Sequence, residues 1–259
     1  MSNQSNILTK IKSKNQYLVG TRNLNAPFRL FCFPYAGAGA SAYNPWSKDL
    51  SNVFEVISIQ LPGRENRIME EPHTNMEELI ACLAEDVHPY MDARTVFFGH
   101  SMGALIAFEL TRYINNHYNK KPLHLFLSGT RHPDEQSFTR TIHDLPREDF
   151  IEELKRRNGT PEEFFENTEL IDLILPYVRA DFQICETYNY EAAQPINVPI
   201  SSLSGDSDPF INKQFLEKWR EETTSNFESV LFKGNHFYLH GEDKDKLKEY
   251  IKSTVTNLK

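Results

Sequence analysis

The stretch TVFFGHSMGALIAFELTRYI (95–114) joins an apolar run, TVFFG (95–99), to a segment whose apolar residues recur at helical spacing. Between the two lies Gly99-His100-Ser101-Met102-Gly103, a G-x-S-x-G pattern. Two glycines and a serine recur by chance, so the pattern alone says little. Placed between a strand and a helix, it has the context of a nucleophile elbow. There the sharp turn holds the serine in a strained backbone conformation. Gly99 and Gly103 leave room for the tight strand–helix crossing. Ser101 Oγ stands above the sheet edge, where the helix N-terminus favours negative charge. His100 is expected to support its neighbours in the elbow. The competing reading is a serine that merely caps a helix.

Working outward, RLFCF (29–33), FEVISIQ (54–60), LHLFLSG (123–129), VPISSLSG (198–205) and FESVLFKG (227–234) read as further strands. Helical patterns fall between them, and Thr74-Asn-Met-Glu77 is a capping box that opens a helix through about Met91. Continuous apolar strands alternating with helices predict an α/β fold with a mostly parallel central sheet covered on both faces. With the elbow, that is the α/β-hydrolase arrangement. Residues 1–25 are polar and read as a loose lead-in, leaving one domain over 26–259. From about 131 to 195 the alternation breaks. Charge and Phe dominate there, with helix-like pieces around 147–157, 161–166 and 168–186. A helical insertion between two core strands accounts for this, and such insertions over a sheet's carboxyl edge often act as lids. A packing subdomain with no gating role is the alternative.

A chain of 259 residues with 39% hydrophobic and 25% charged content has the bulk of an ordinary globular protein. Its net charge of −8 argues against general nucleic-acid binding. Cys32, Cys82 and Cys185 are odd in number and widely spaced, which suits neither a disulfide framework nor a zinc site. No run approaches the ~18 apolar residues of a membrane span, and no signal peptide is evident, so a cytoplasmic protein is expected.

A serine needs a base, and the hydrolase order is Ser…Asp/Glu…His. His236, in Gly234-Asn-His-Phe-Tyr238, follows the last strand and is the favoured base; His240 competes. The two form H-x-x-x-H without the Glu of a metalloprotease, and no metal is expected. For the acid, Asp208 in Gly205-Asp-Ser-Asp-Pro209 is favoured because Pro209 holds it extended. Asp206 is expected to shape the turn, and Asp134 is a third candidate. The loop FCFPYAGAGASA (31–42) can be forced into a dinucleotide pattern through Gly37, Gly39 and Ala42. Pro34-Tyr35-Ala36 removes the tight βα turn, however, and the next strand ends in Gln60 where an acid should stand. In a hydrolase this loop supplies one oxyanion donor and the residue after the nucleophile the other. That nominates the Ala36 and Met102 N–H groups, each worth roughly 3–4 kcal/mol of barrier.

Five motifs together resemble the type II thioesterases of nonribosomal peptide and polyketide synthesis. They are Phe33-Pro-Tyr-Ala-Gly37, Gln60-Leu-Pro-Gly-Arg64, the elbow, Gly205-Asp-Ser-Asp-Pro209 and Gly234-Asn-His-Phe-Tyr238. Arg179-Ala-Asp-Phe182 with Glu186-Thr-Tyr188 resembles the family's lid segment. The resemblance implies an α/β-hydrolase that removes unwanted acyl or aminoacyl groups from the phosphopantetheine arm of carrier domains. It implies Ser101, Asp208 and His236 as the triad, no cofactor beyond the substrate's own arm, acyl- or peptidyl-carrier domains as partners, and a monomer. Tyr35 stands where the family usually has His, and Asn235 where Gly is usual. Two rivals remain: a medium-chain acyl-carrier-protein thioesterase that releases fatty acids, and a non-catalytic hydrolase-fold binding module. Carrier domains are usually acidic, so their docking face must draw on the 28 Lys/Arg, around the lid and elbow rim.

Overall fold

The computed structural model describes residues 16–20, 22–135, 141–157 and 165–258. Its sheet has seven strands: β1 (Leu18–Gly20), β2 (Phe28–Phe33), β3 (Phe54–Ile59), β4 (Thr95–His100), β5 (His124–Ser128), β6 (Ile200–Gly205) and β7 (Phe227–Phe232). The spatial order is β1-β3-β2-β4-β5-β6-β7. All neighbours are parallel except β1, which pairs antiparallel with β3 through Leu18↔Ile59 and Gly20↔Ile57.

The apolar runs bury both faces of the strands they form. Phe31, Phe33, Phe97 and Leu125 point into one core. There they meet α2 (Met76–Val87) and α3 (Met102–Tyr118) through Leu79, Leu83, Ala104 and Phe108. Leu30, Cys32, Val96, Phe98 and Phe126 point into the other. That core is closed by Trp46 of α1 (Asn44–Asp49) and by Leu247, Ile251 and Val255 of α7 (Lys244–Thr256). This two-sided burial is why the strands read as continuous apolar runs. Phe97 and Phe98 are fully buried on opposite faces. Truncating either to Ala removes roughly 3–5 kcal/mol.

Two expectations need correction. Leu18–Gly20, inside the supposed lead-in, is a sheet strand. It is anchored by Gln60 N–H donating to the Tyr17 carbonyl at 2.7 Å. The helix after the supposed capping box is capped one residue later. Asn75 Oδ1 accepts from Glu78 N–H, because the chain turns helical only at Met76. Regular α-helix ends at Val87, and a 3-10 turn over His88–Tyr90 completes the stretch to Met91.

The chain steps from β2 outward to β3 and then returns to β4 on β2's other side. A crevice therefore opens at the carboxyl ends of β2 and β4, where open α/β sheets bind ligands. The insertion between β5 and β6 holds α4 (Arg147–Arg156) and α5 (Thr168–Thr187), which share a core of Ile142, Phe150, Leu154, Ile171 and Leu175. The helix expected at 161–166 lies largely outside the described residues. The last short helix, α6 (Lys213–Lys218), lies between β6 and β7.

Candidate active site

Ser101 sits between β4 and α3 at φ 53°, ψ −119°, a region a non-glycine residue adopts only under constraint. The constraint is on both sides. A Cβ on Gly99 would come 2.1 Å from the Gly103 carbonyl oxygen, and one on Gly103 would come 2.1 Å from that of Phe33. Strand, turn and helix thus cross at backbone contact. Ser101 N–H donates to the Ser128 carbonyl at 2.7 Å, tying the elbow to β5. The Ser101 side chain makes no capping hydrogen bond, so a helix cap is not its role.

The other two candidates come from the far strands. A Cβ on Gly205 would lie 2.3 Å from the carbonyl oxygens of Gly234 and Asn235, so the turn after β6 packs against the turn after β7. Asp208 and His236 meet there, Nδ1 to Oδ2, at 2.7 Å. The Asp208 carboxylate also accepts from Phe210 N–H at 2.8 Å and Ser204 Oγ at 3.2 Å, and its side chain is fully buried. The His236 ring lies 4.9 Å from that of His100, the residue before Ser101, and 5.6 Å edge-on from Phe210. Acid and imidazole are therefore paired beside the elbow. Among the described residues no hydrogen bond joins the Ser101 hydroxyl to His236.

The competitors are occupied elsewhere. Asp206 accepts from Gly234 N–H at 3.1 Å, which lowers its pKa and holds the turn. Asp134 binds His132 and Lys218. His240 Nε2 is 3.0 Å from the Tyr35 hydroxyl. His100, next to Ser101, is fully buried, with Nδ1 2.8 Å from Ser128 Oγ, which in turn contacts the Tyr238 hydroxyl at 2.7 Å. Burial first, and then the neighbouring His236 and His240, push its pKa well down and keep the ring neutral.

Ala36 lies in the loop that follows β2, and Met102 opens α3 just after β4. What fixes the loop after β2 was not legible in the sequence. Gly37, at φ +82°, donates its N–H to Asp181 Oδ2 at 2.8 Å. Asp181 lies on α5 and forms a bidentate pair with Arg64 at 2.6 and 2.7 Å, both side chains at most 2% exposed. Arg64 also donates to the Ala38 carbonyl at 3.0 Å. Gln60 Oε1 accepts from Ala40 N–H at 2.9 Å. A carboxylate thus takes the amide that a dinucleotide phosphate would need, and the loop is no nucleotide cradle. Nothing local singles out Asp181, because α5 is amphipathic and also carries Glu169, Asp172, Arg179 and Glu186.

Among the described residues no cluster of His, Cys, Asp and Glu could hold a metal ion, and no helix is long and apolar enough to cross a membrane. The three cysteines are free thiols.

Residues 28–254 match the thioesterase domain model. The chain belongs to the thioesterase domain family. It is 42% identical over 245 residues to the gramicidin S biosynthesis protein GrsT of Aneurinibacillus migulanus, covering 94% of this chain and 95% of that protein. It is 31% identical to the medium-chain S-acyl fatty acid synthase thioesterase of Homo sapiens, covering 93% and 92% of the two chains. Among solved structures it superposes on BorB, the type II thioesterase from the borrelidin biosynthetic cluster, with a TM-score of 0.85 and 32% identity. That match covers 95% of this chain and 99% of BorB. This thioesterase is a hydrolase of the α/β type, as the elbow and the mostly parallel sheet led one to expect.

Proposed function

We propose that this thioesterase edits nonribosomal peptide or polyketide assembly lines, hydrolysing acyl or aminoacyl thioesters from the phosphopantetheine arm of carrier domains. The observation that carries the reading is the pairing of His236 with the buried Asp208 carboxylate at 2.7 Å beside a backbone-strained Ser101. Relatives named for gramicidin S and borrelidin biosynthesis supply the pathway class.

In the mechanism, Asp208 stays ionised and accepts a hydrogen bond from Nδ1–H of His236, which leaves the Nε2 lone pair free for Ser101. Ser101 Oγ attacks the thioester carbonyl and its proton passes to Nε2. Such hydroxyl–imidazole contacts commonly tighten only when substrate is bound. The oxyanion lies between the Ala36 and Met102 amides. The C–S bond then breaks, the imidazolium protonates the departing pantetheine thiolate, and an acyl-serine remains. A water gives its proton to His236, attacks the ester, and the acid leaves as Ser101 regains its proton. No cofactor takes part. The insertion holding α4 and α5 acts as a lid over the crevice.

Ser101→Ala is expected to lower kcat on acyl-thioesters by roughly 10⁴–10⁶-fold with the fold intact. Undiminished turnover in that variant overturns the assignment. The similarity to the human medium-chain enzyme favours a second reading, release of fatty acids. A series of carrier-bound acyl chains separates the two: broad activity on short groups supports editing, and a strong preference for about C8–C12 supports release.

A further inference from the structure

Arg157, in the insertion, is a cation that the mechanism leaves unused. It caps the C-terminus of α4. A positive charge there suits the helix dipole, and the guanidinium also meets aromatic faces. It lies over two phenylalanine rings, 5.4 Å from Phe182 of α5 and 5.6 Å from Phe210 of the acid-bearing turn. Its Nε is buried without a hydrogen-bond partner, and among the described residues no carboxylate pairs with it. That is unusual company for an arginine in a chain with 36 acidic and 28 basic residues. Arg147 and Arg156 on the same helix are each ion-paired. Arg131 holds the backbone of the same phenylalanine, donating from Nε to the Phe210 carbonyl at 2.8 Å.

Phe210 links this cation to the chemistry, since its ring also sits 5.6 Å from that of His236. The two steps place the guanidinium within about 11 Å of the His236 ring. We propose that Arg157, held between Phe182 and Phe210, binds the phosphodiester of the substrate's pantetheine arm. This rests on the thioesterase reading given above. From the sulfur to the phosphorus the arm has about thirteen bonds. At the ~3.5 Å that three bonds span in an extended chain, that is roughly 15 Å. A phosphate one hydrogen-bond length beyond the guanidinium falls at that reach when the thioester stands at Ser101. A planar, permanently charged fork stacked on aromatic faces suits a phosphate oxyanion. The rings strip water from it without competing for its donors. Phe182 comes from the lid helix and Phe210 from the acid turn, so the site is complete only while the insertion is seated.

The test compares kcat/KM for one acyl group on 4′-phosphopantetheine and on pantetheine, small thioesters that differ only in the phosphate. The intact enzyme is expected to prefer the phosphorylated form by roughly tenfold or more, the worth of a charge-assisted hydrogen bond. In Arg157→Gln the ratio falls to near one, and Arg157→Lys keeps part of it. A ratio near one in the intact enzyme, or an unchanged ratio in Arg157→Gln, overturns the proposal. So does a loss confined to carrier-bound substrate with the small-molecule ratio intact, which would assign the guanidinium to the carrier's acidic surface. If Ser101→Ala instead hydrolyses both thioesters as fast as the intact enzyme, the triad reading fails while the phosphate ratio can still be measured.

Discussion

Asp181→Asn removes a charge and little volume from the contact that joins α5 to the loop after β2, which the proposed mechanism gives an oxyanion donor. The carboxylate accepts two hydrogen bonds from Arg64 and one from Gly37, at 2.6, 2.7 and 2.8 Å. An amide oxygen can keep the Arg64 Nη1 and Gly37 contacts. Its NH2 must then face Arg64 Nη2, donor against donor, around an uncompensated buried guanidinium. Breaking a buried pair from one side costs about 3–5 kcal/mol. In a domain of this size that is a drop in Tm of roughly 6–20 °C. Catalysis suffers separately. Loss of an oxyanion donor costs about 10²–10³ in kcat. A loop that has only lost its clamp should lose roughly 10- to 100-fold, in kcat more than in KM. Steady-state hydrolysis of an acyl-pantetheine well below the variant's Tm reads this out. The apolar double variant Arg64→Met/Asp181→Leu separates the two effects. It should regain stability, since well-packed apolar pairs replace buried ion pairs at little cost, while kcat stays low. A folded Asp181→Asn enzyme with kcat within about twofold of the parent refutes the clamp.

Asp208→Asn leaves the hydrogen-bond geometry nearly intact but favours the wrong imidazole tautomer. A fall in kcat of about 10⁴ is expected in a thioester assay, and a fall of less than about tenfold would return the acid's role to another residue. His132 gives a pH signature. It is buried between Asp134 at 2.7 Å and Glu222 at 2.8 Å. Burial pulls its pKa down, but the hydrogen bonds to those carboxylates outweigh it and leave the pKa raised. Its stabilisation is therefore full below the ordinary histidine value of about 6.5, and it is lost as pH rises through the elevated folded value. The Tm gap between the parent and His132→Gln should be wider at pH 6 than at pH 9; a gap that widens with pH contradicts the assignment.

Five of the six parallel strands, β2 to β6, were legible because each buries both faces; β7, partly exposed at the sheet edge, was legible from its Phe, Val and Leu residues. The elbow was legible because its residues are contiguous between a strand and a helix, although the contact that requires Gly103 comes from distant Phe33. Asp208 and His236 could be ranked because they follow the last two strands. β1 escaped because three residues at a sheet edge, Leu18–Gly20 with Val19 exposed, leave no periodic trace. Asn75 and Thr74 both carry a capping oxygen, and only the helix start decides between them. The Arg64–Asp181 clamp spans 117 positions, and Asp181 on an amphipathic helix reads like any solvated charge. Arg157 gave no local sign either, since its isolation from carboxylates exists only once the lid has packed.

The order of the catalytic parts along the polypeptide has a consequence for biosynthesis of the enzyme itself. A ribosome delivers the proposed nucleophile at 101 well before the proposed base at 236, 135 positions later. That imidazole lies on the turn after β7, the outermost strand of its side of the sheet. Tyr238, two residues later, is what reaches back through Ser128 to His100 under the elbow. On the proposed triad, a nascent chain halted between the two carries the serine without its base, and stays inert toward thioesters until β7 and its turn have joined the sheet.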